Sequence, residues 1–180
     1  MVRSEDVEPY EVRPARPGEE SAVRDVCCAG FAASSRGLLP PAATERRIRE
    51  YYDLARVRSE LAPAGDDPRW QGYVVAATAS GRVIGAAGGG VTDRTVGHVL
   101  VLYLDLALRG QGIGTALLDA VTRQQVAAGA TEQRVSVTEG NELAIPFYLA
   151  RGFVVRDRVP FEVAADGTVE AFSLSMSRAV

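Results

Sequence analysis

Two stretches of this chain carry residues whose types and spacing can do chemistry. The first, Arg109-Gly110-Gln111-Gly112-Ile113-Gly114-Thr115, sets three alternating glycines between an apolar run and a helical pattern. Glycines at a strand-to-helix turn leave backbone N–H groups bare at a helix start, where the positive potential suits a pyrophosphate. A merely tight connection would use glycine too, so spacing has to discriminate. A dinucleotide fingerprint wants G-x-G-x-x-G at an early strand–helix turn and an acid about 20 residues on. Here the pattern is Gly110-x-Gly112-x-Gly114 in mid-chain, with threonine at 115, which disfavours a nucleotide-binding oxidoreductase. A P-loop is excluded: it needs a lysine, and all 20 basic residues are arginine.

The second stretch is Asn141-Glu142-Leu143-Ala144-Ile145-Pro146-Phe147-Tyr148-Leu149-Ala150-Arg151-Gly152-Phe153. Asn141 reads as a helix N-cap and Gly152 as the C-terminal stop. Tyr148 presents an ionisable hydroxyl between the apolar Phe147 and Leu149. A core tyrosine whose hydroxyl reaches the surface would look the same.

Together, in this order, the two stretches resemble the GCN5-related N-acetyltransferases. Arg109-x-x-Gly112-x-Gly114 after a hydrophobic strand matches that family's acyl-CoA motif. The segment from Asn141 to Phe153 matches its N-x-x-A-x-x-F-Y-x-x-x-G-F block. The order of elements from Tyr10 to Ser177 fits as well. The resemblance implies acetyl-CoA as cosubstrate, without a metal. Its pyrophosphate would be held by the backbone N–H groups of Gln111, Gly112, Ile113, Gly114 and Thr115, at the loop that Arg109 opens. Its pantetheine arm would lie along backbone groups of Leu104 and Leu106 as an added strand. The family's matching asparagine lies close to the cofactor, which adds Asn141 to the binding set. Leu106 departs from the family, which often has proline there.

What the resemblance implies chemically is direct transfer of an acetyl group to a small-molecule or peptide amine. The alternative is an acyl-CoA-binding module of the same fold without turnover. Transfer requires the attacking nitrogen to lose a proton and the leaving thiolate to gain one. The family places a tyrosine hydroxyl near the coenzyme A sulfur, so Tyr148 is the candidate general acid. His98 is the candidate base: simple alternation puts it on one strand face with Leu100, Leu102 and Leu104, and its ordinary pKa suits the task. Glu139 and Asp105 are fallbacks, and so is the absence of any base. The acceptor side is expected from the first helices (Phe31, Arg36, Tyr51, Tyr52) and the last hairpin. Arg46, Arg47 and Arg49 read as a solvated face.

These groups need a frame to position them. His98 to Leu106 is apolar on both faces and reads as a central strand covered on two sides. Tyr10–Pro14, Gly72–Ala79, Arg82–Gly88, Gln133–Thr138, Phe153–Val159 and Val169–Ser177 read as further strands, with Gly88-Gly89-Gly90 breaking the pattern. Helical spacing covers 19–30, the region from Ile48 to Leu61, the segment after Ile113, and 141–152. The order β-α-α-β-β-β-α-β-α-β-β specifies an α+β fold with helices on both faces. The family resemblance makes its sheet mixed, mostly antiparallel and of about seven strands. The expected organisation is a loose tail over residues 1–9 and one acyltransferase domain over 10–180.

Composition narrows the partners. With 180 residues and 47% hydrophobic content, one core forms but not two. Twenty basic and 23 acidic side chains give a net charge of −3, which argues against a nucleic-acid binder. No apolar run approaches the ~20 residues of a membrane span. The chain therefore reads as a cytoplasmic protein, and its Ala- and Arg-rich, Lys-free composition as bacterial. Cys27 and Cys28 are adjacent and only one histidine exists, so no Cys/His metal cluster can assemble. A homodimer is compatible with the resemblance, though no sequence feature demands one.

Overall fold

A computed structural model describes residues 8–180. Of the expected tail, only Glu8 and Pro9 fall among these residues, and both are tied down. The Glu8 carboxylate accepts from Ser80 N at 2.8 Å, and the Pro9 carbonyl from Ala79 N at 3.1 Å.

Seven strands form one sheet: β1 (Tyr10–Pro14), β2 (Tyr73–Thr78), β3 (Val83–Thr92), β4 (Val96–Leu104), β5 (Glu132–Thr138), β6 (Val154–Val163) and β7 (Val169–Ala179). Their spatial order is β1-β2-β3-β4-β5-β7-β6. Every neighbouring pair is antiparallel except β4 and β5, which are parallel. Helices α1 (Glu20–Ser35), α2 (Pro41–Tyr51) and α3 (Leu54–Glu60) cover one face; α4 (Ile113–Ala127) and the short α5 (Ala144–Leu149) cover the other. This explains why β2 is buried along its whole length: both sides of that strand meet helices, so apolar residues need not alternate with polar ones.

Some boundaries differ from the sequence expectation, for local reasons. Helix α1 continues past Gly30 to Ser35, because the tight packing of Gly30 against β4 needs a residue without a side chain. The expected second helical region divides at Asp53, whose carboxylate accepts from Ala55 N and Arg56 N at 3.0 and 3.2 Å and so starts α3 afresh. The Asn141 helix is shorter than expected, spanning Ala144–Leu149; Asn141 Oδ1 accepts from Leu143 N and Ala144 N at 3.2 and 2.9 Å, which holds the residues before Ala144 in a turn.

The glycine triplet does not interrupt β3, which runs straight through it. A β carbon on Gly89 would lie 2.0 Å from the His98 carbonyl oxygen, and one on Gly90 would lie 2.0 Å from that of Arg69. The triplet therefore admits two close backbone approaches. One of them is a β-bulge in β4: Gly88 pairs with Val101 while the adjacent Gly89 pairs with Val99, leaving Leu100 as the extra residue.

That bulge shapes the centre of the molecule. Strands β4 and β5 pair only from Val96↔Glu132 to Val99↔Val135. Beyond the bulge, β4 stays with β3 as far as Leu104, while β5 stays with β7 as far as Thr138. The two strands separate, and the sheet opens in its middle.

Candidate active site

The glycine loop stands at the top of this opening. Asp105 leaves β4 and caps a single 3-10 turn, Leu106–Leu108, by accepting from Ala107 N at 3.0 Å. Leu106 thus sits in that turn and not on the strand. Gly110 and Gly112 both have φ +78, in the left-handed region that other residues avoid. Gly112 is the N-cap of α4 and offers no side chain to the first turn, so the N–H groups that begin the helix stay available. A β carbon on either glycine would meet nothing within 4 Å, so the loop faces open space. Gly114, by contrast, is packed: its β carbon would lie 3.2 Å from Phe147 and 3.3 Å from Leu104. Free donors, an open approach and Arg109 alongside fit a pyrophosphate.

A cleft of about 980 Å³ runs from this loop through the split between β4 and β5. Leu104, Leu106, Arg109, Gly112, Ile113, Gly114, Thr115, Asn141 and Tyr148 all line it. Gln111 does not and is exposed. The free edges of Leu100–Leu104 and Ser136–Thr138 form its walls, so an extended ligand can use backbone groups there.

Tyr148 reaches the cleft from α5 and is 5% exposed. Its ring meets Phe147 and Phe153 edge-on, both at 5.1 Å between centroids. Burial pushes its phenol well above the ordinary range, against a smaller opposing pull from Arg151 and Arg178. The hydroxyl therefore stays protonated and can act as a donor. Arg151, which the sequence reading left unassigned within the second motif, also lines the cleft. Its guanidinium lies 3.7 Å over the Phe147 ring, donates to the Phe147 carbonyl at 2.8 Å and bonds Thr115 Oγ1. That ties α5 to the glycine loop.

His98 lies elsewhere. A β carbon on Gly97 would meet Gln125 of α4, and Val99 packs in the same α4-side core, so His98 between them faces the other way. The bulge at Leu100 then breaks the alternation, and His98 does not share a face with Leu102 and Leu104, which pack on the α4 side. Its Nε2 pairs with Thr92 Oγ1 at 3.0 Å, and it does not line the cleft. Burial, helped by Arg134, lowers its pKa. The fallbacks are also engaged away from the cleft: Glu139 takes two 2.8 Å bonds from Arg158, and Asp105 pairs with Arg82.

The opposite mouth of the cleft is aromatic. Phe31, Tyr51 and Tyr52 line it, together with Trp70, Tyr73 and Tyr103, which sequence reasoning does not single out. Their signal was weak, since Tyr103 hides in an unbroken apolar run. Burial pushes the Tyr103 hydroxyl up to about 12. Arg36 is absent from the lining. Nor are the α2 arginines simply a solvated face. Arg46 and Arg47 both pair with Glu162, which is 4% exposed, while Arg49 stays on the surface 4.0 Å from Glu45.

A family model described as the acetyltransferase (GNAT) family matches residues 38–153, a span that includes both motifs. The chain belongs to the acetyltransferase (GNAT) family. Solved structures share the fold of this GNAT protein along nearly their whole length. The PaiA N-acetyltransferase of Thermoplasma acidophilum, in complex with coenzyme A, aligns with TM-score 0.78 at 20% identity, covering 96% of this chain and 99% of that one. The ribosomal-protein-S18-alanine N-acetyltransferase of Escherichia coli aligns with TM-score 0.68 at 16% identity, covering 96% and 94%. A GCN5-related N-acetyltransferase from Kribbella flavida aligns with TM-score 0.65 at 21% identity, covering 95% and 98%. No curated protein matches the sequence. Acetyl-CoA is the acyl donor of GNAT enzymes. Among the described residues no helix is long and apolar enough to cross a membrane, and no group of three His, Cys, Asp or Glu side chains gathers to hold a metal ion.

Proposed function

We propose that this GNAT protein transfers an acetyl group directly from acetyl-CoA to a primary amine, with Tyr148 as general acid. The observation that carries the reading is the juxtaposition in one cleft of the bare helix start at Gly112, the unpaired edge of β4 and the buried Tyr148. The loop holds the pyrophosphate through the N–H groups of Gly112 to Thr115. The edge from Leu100 to Leu104 aligns the thioester arm and donates a backbone N–H to the carbonyl oxygen as it becomes an oxyanion.

The amine reaches the thioester from the aromatic mouth. As its nitrogen bonds to the acetyl carbon and the C–S bond breaks, Tyr148 gives its proton to the departing sulfur. The nitrogen sheds one proton to water, and the Tyr148 oxygen regains one from water. The balance is one free amine and one thioester in, one amide and one thiol out. His98 is outside the cleft and is not assigned the base; the amine enters this step already neutral.

A thermal-shift panel of acetyl-CoA, coenzyme A, NAD and ATP tests the binding half. A ligand at 100 times its dissociation constant adds about 2.7 kcal/mol, which for this length raises the midpoint by about 5–10 °C. A shift with acetyl-CoA that exceeds the one with NAD supports the reading; equal shifts, or none, contradict it.

A further inference from the structure

The acceptor mouth carries its own chemical specification. Phe31 stands among Tyr51, Tyr52 and Tyr103 with ring centroids 6.3, 6.2 and 6.5 Å away, all edge-to-face. Trp70 and Tyr73 add a second pair at 4.9 Å. Charge in this mouth is cancelled locally. Glu60 is the one acid lining the cleft among the described residues, and Arg56 Nε holds it at 2.9 Å. Arg69, also in the lining, is paired with Asp67 at 2.6 Å.

The mouth is also bridged. Tyr51 and Phe161 border it from α2 and β6. Arg47 joins these borders, donating to Tyr51 Oη at 2.6 Å, to the Phe161 carbonyl at 2.7 Å and to Glu162 at 2.9 Å, with its guanidinium 4.1 Å over the Phe161 ring. An extended peptide chain passing between α2 and β6 would have to break this bridge.

Resting on the transferase reading above, we infer that the acceptor is a small primary monoamine carried on an aromatic or apolar body, and not a polyamine or a peptide N-terminus. Ring faces and edges suit an apolar body, and the faces attract a single ammonium before it loses its proton. A second and third ammonium would need carboxylates of their own, and Glu60 is already spent on Arg56.

The test measures thiol release and the acetylated product from acetyl-CoA with 2-phenylethylamine, spermidine and a short peptide with a free alanine N-terminus. The expected result is kcat/KM for 2-phenylethylamine at least tenfold above the other two. Tyr51→Leu should lower that value at least tenfold through KM while the KM for acetyl-CoA stays put, which also shows that the variant is folded. Arg56→Gln, which leaves the Glu60 carboxylate unpaired in the wall, should narrow the gap to spermidine. Preference for spermidine or the peptide overturns the inference and leaves the transferase reading standing. So does a Tyr51→Leu variant that treats 2-phenylethylamine as the wild type does, or an Arg56→Gln variant with an unchanged gap. Binding of acetyl-CoA without acetylation of any amine overturns both.

Discussion

Gly30 of α1 and Tyr103 of β4 are packed so closely that a β carbon on Gly30 would lie 2.5 Å from Tyr103 Cδ1. The glycine lets the first helix settle onto β4, the strand that borders the cleft. Gly30→Ala gains about 1 kcal/mol of helix propensity but forces the Tyr103 ring to move, which costs about 1–3 kcal/mol in a packed core. We expect a net destabilisation of up to about 2 kcal/mol in urea unfolding and a KM for the amine that rises more than the KM for acetyl-CoA does. A stabilised variant would show that the ring can yield freely.

Tyr148→Phe keeps the ring contacts with Phe147 and Phe153 and removes only the hydroxyl. Positioned acids contribute about 10²–10⁴-fold, so kcat should fall by at least about 10²-fold with acetyl-CoA affinity unchanged. Since burial holds the phenol above its ordinary value, the wild type should lose no activity to Tyr148 ionisation below about pH 10. A pH–rate profile with an alkaline limb that vanishes in Tyr148→Phe would contradict this.

Central parts of this arrangement were legible in the residues. The apolar run from His98 to Leu106 and the glycines after it announced a central strand leading into a bare helix start, and Asn141 and Tyr148 line the cleft beside that start. The bulge at Leu100 was not legible. Leucine and valine occupy both faces of β4, so hydrophobic periodicity carries no register there. That is why His98 was expected on the cleft face. The glycine triplet read as a break in the strand pattern, whereas β3 continues through it and its glycines admit close backbone approaches. The Arg47–Glu162 bridge joins residues far apart in the chain, and nothing local to either one predicts the pairing.

The placement of His98 leads to a separate expectation. His98→Asn should leave kcat within about twofold of wild type. Its effect should appear in stability instead. Burial holds the native pKa below the ordinary ~6.5, so below pH 6.5 the unfolded chain binds a proton that the native one resists. Stability therefore falls as pH drops from about 6.5 through the lower native value. Urea unfolding at several pH values should show this slope in the wild type and not in His98→Asn. A large loss of kcat in the variant would return His98 to the mechanism.

Glu162 makes the opposite kind of contribution. Burial alone would raise its carboxyl, but Arg47 and Arg46 outweigh that and hold it below the ordinary value. Its stabilisation is present above the unfolded carboxyl pKa of about 4.3 and is lost as pH falls through the lower native value. Glu162→Gln, which removes the charge both arginines share, should cost about 1–3 kcal/mol at neutral pH and flatten the acid limb of the stability curve. An unchanged acid limb would mean that the ion pairs contribute nothing.

The most direct measurement is mass spectrometry of a mixed set of primary amines incubated with isotopically labelled acetyl-CoA and either the wild-type protein or Tyr148→Phe. Labelled amide formed by the wild type in step with free coenzyme A, and at least about 10²-fold more slowly by the variant, is the predicted result. Coenzyme A binding with no labelled amide from any amine would contradict it, and would make this chain a non-catalytic acyl-CoA-binding member of its family.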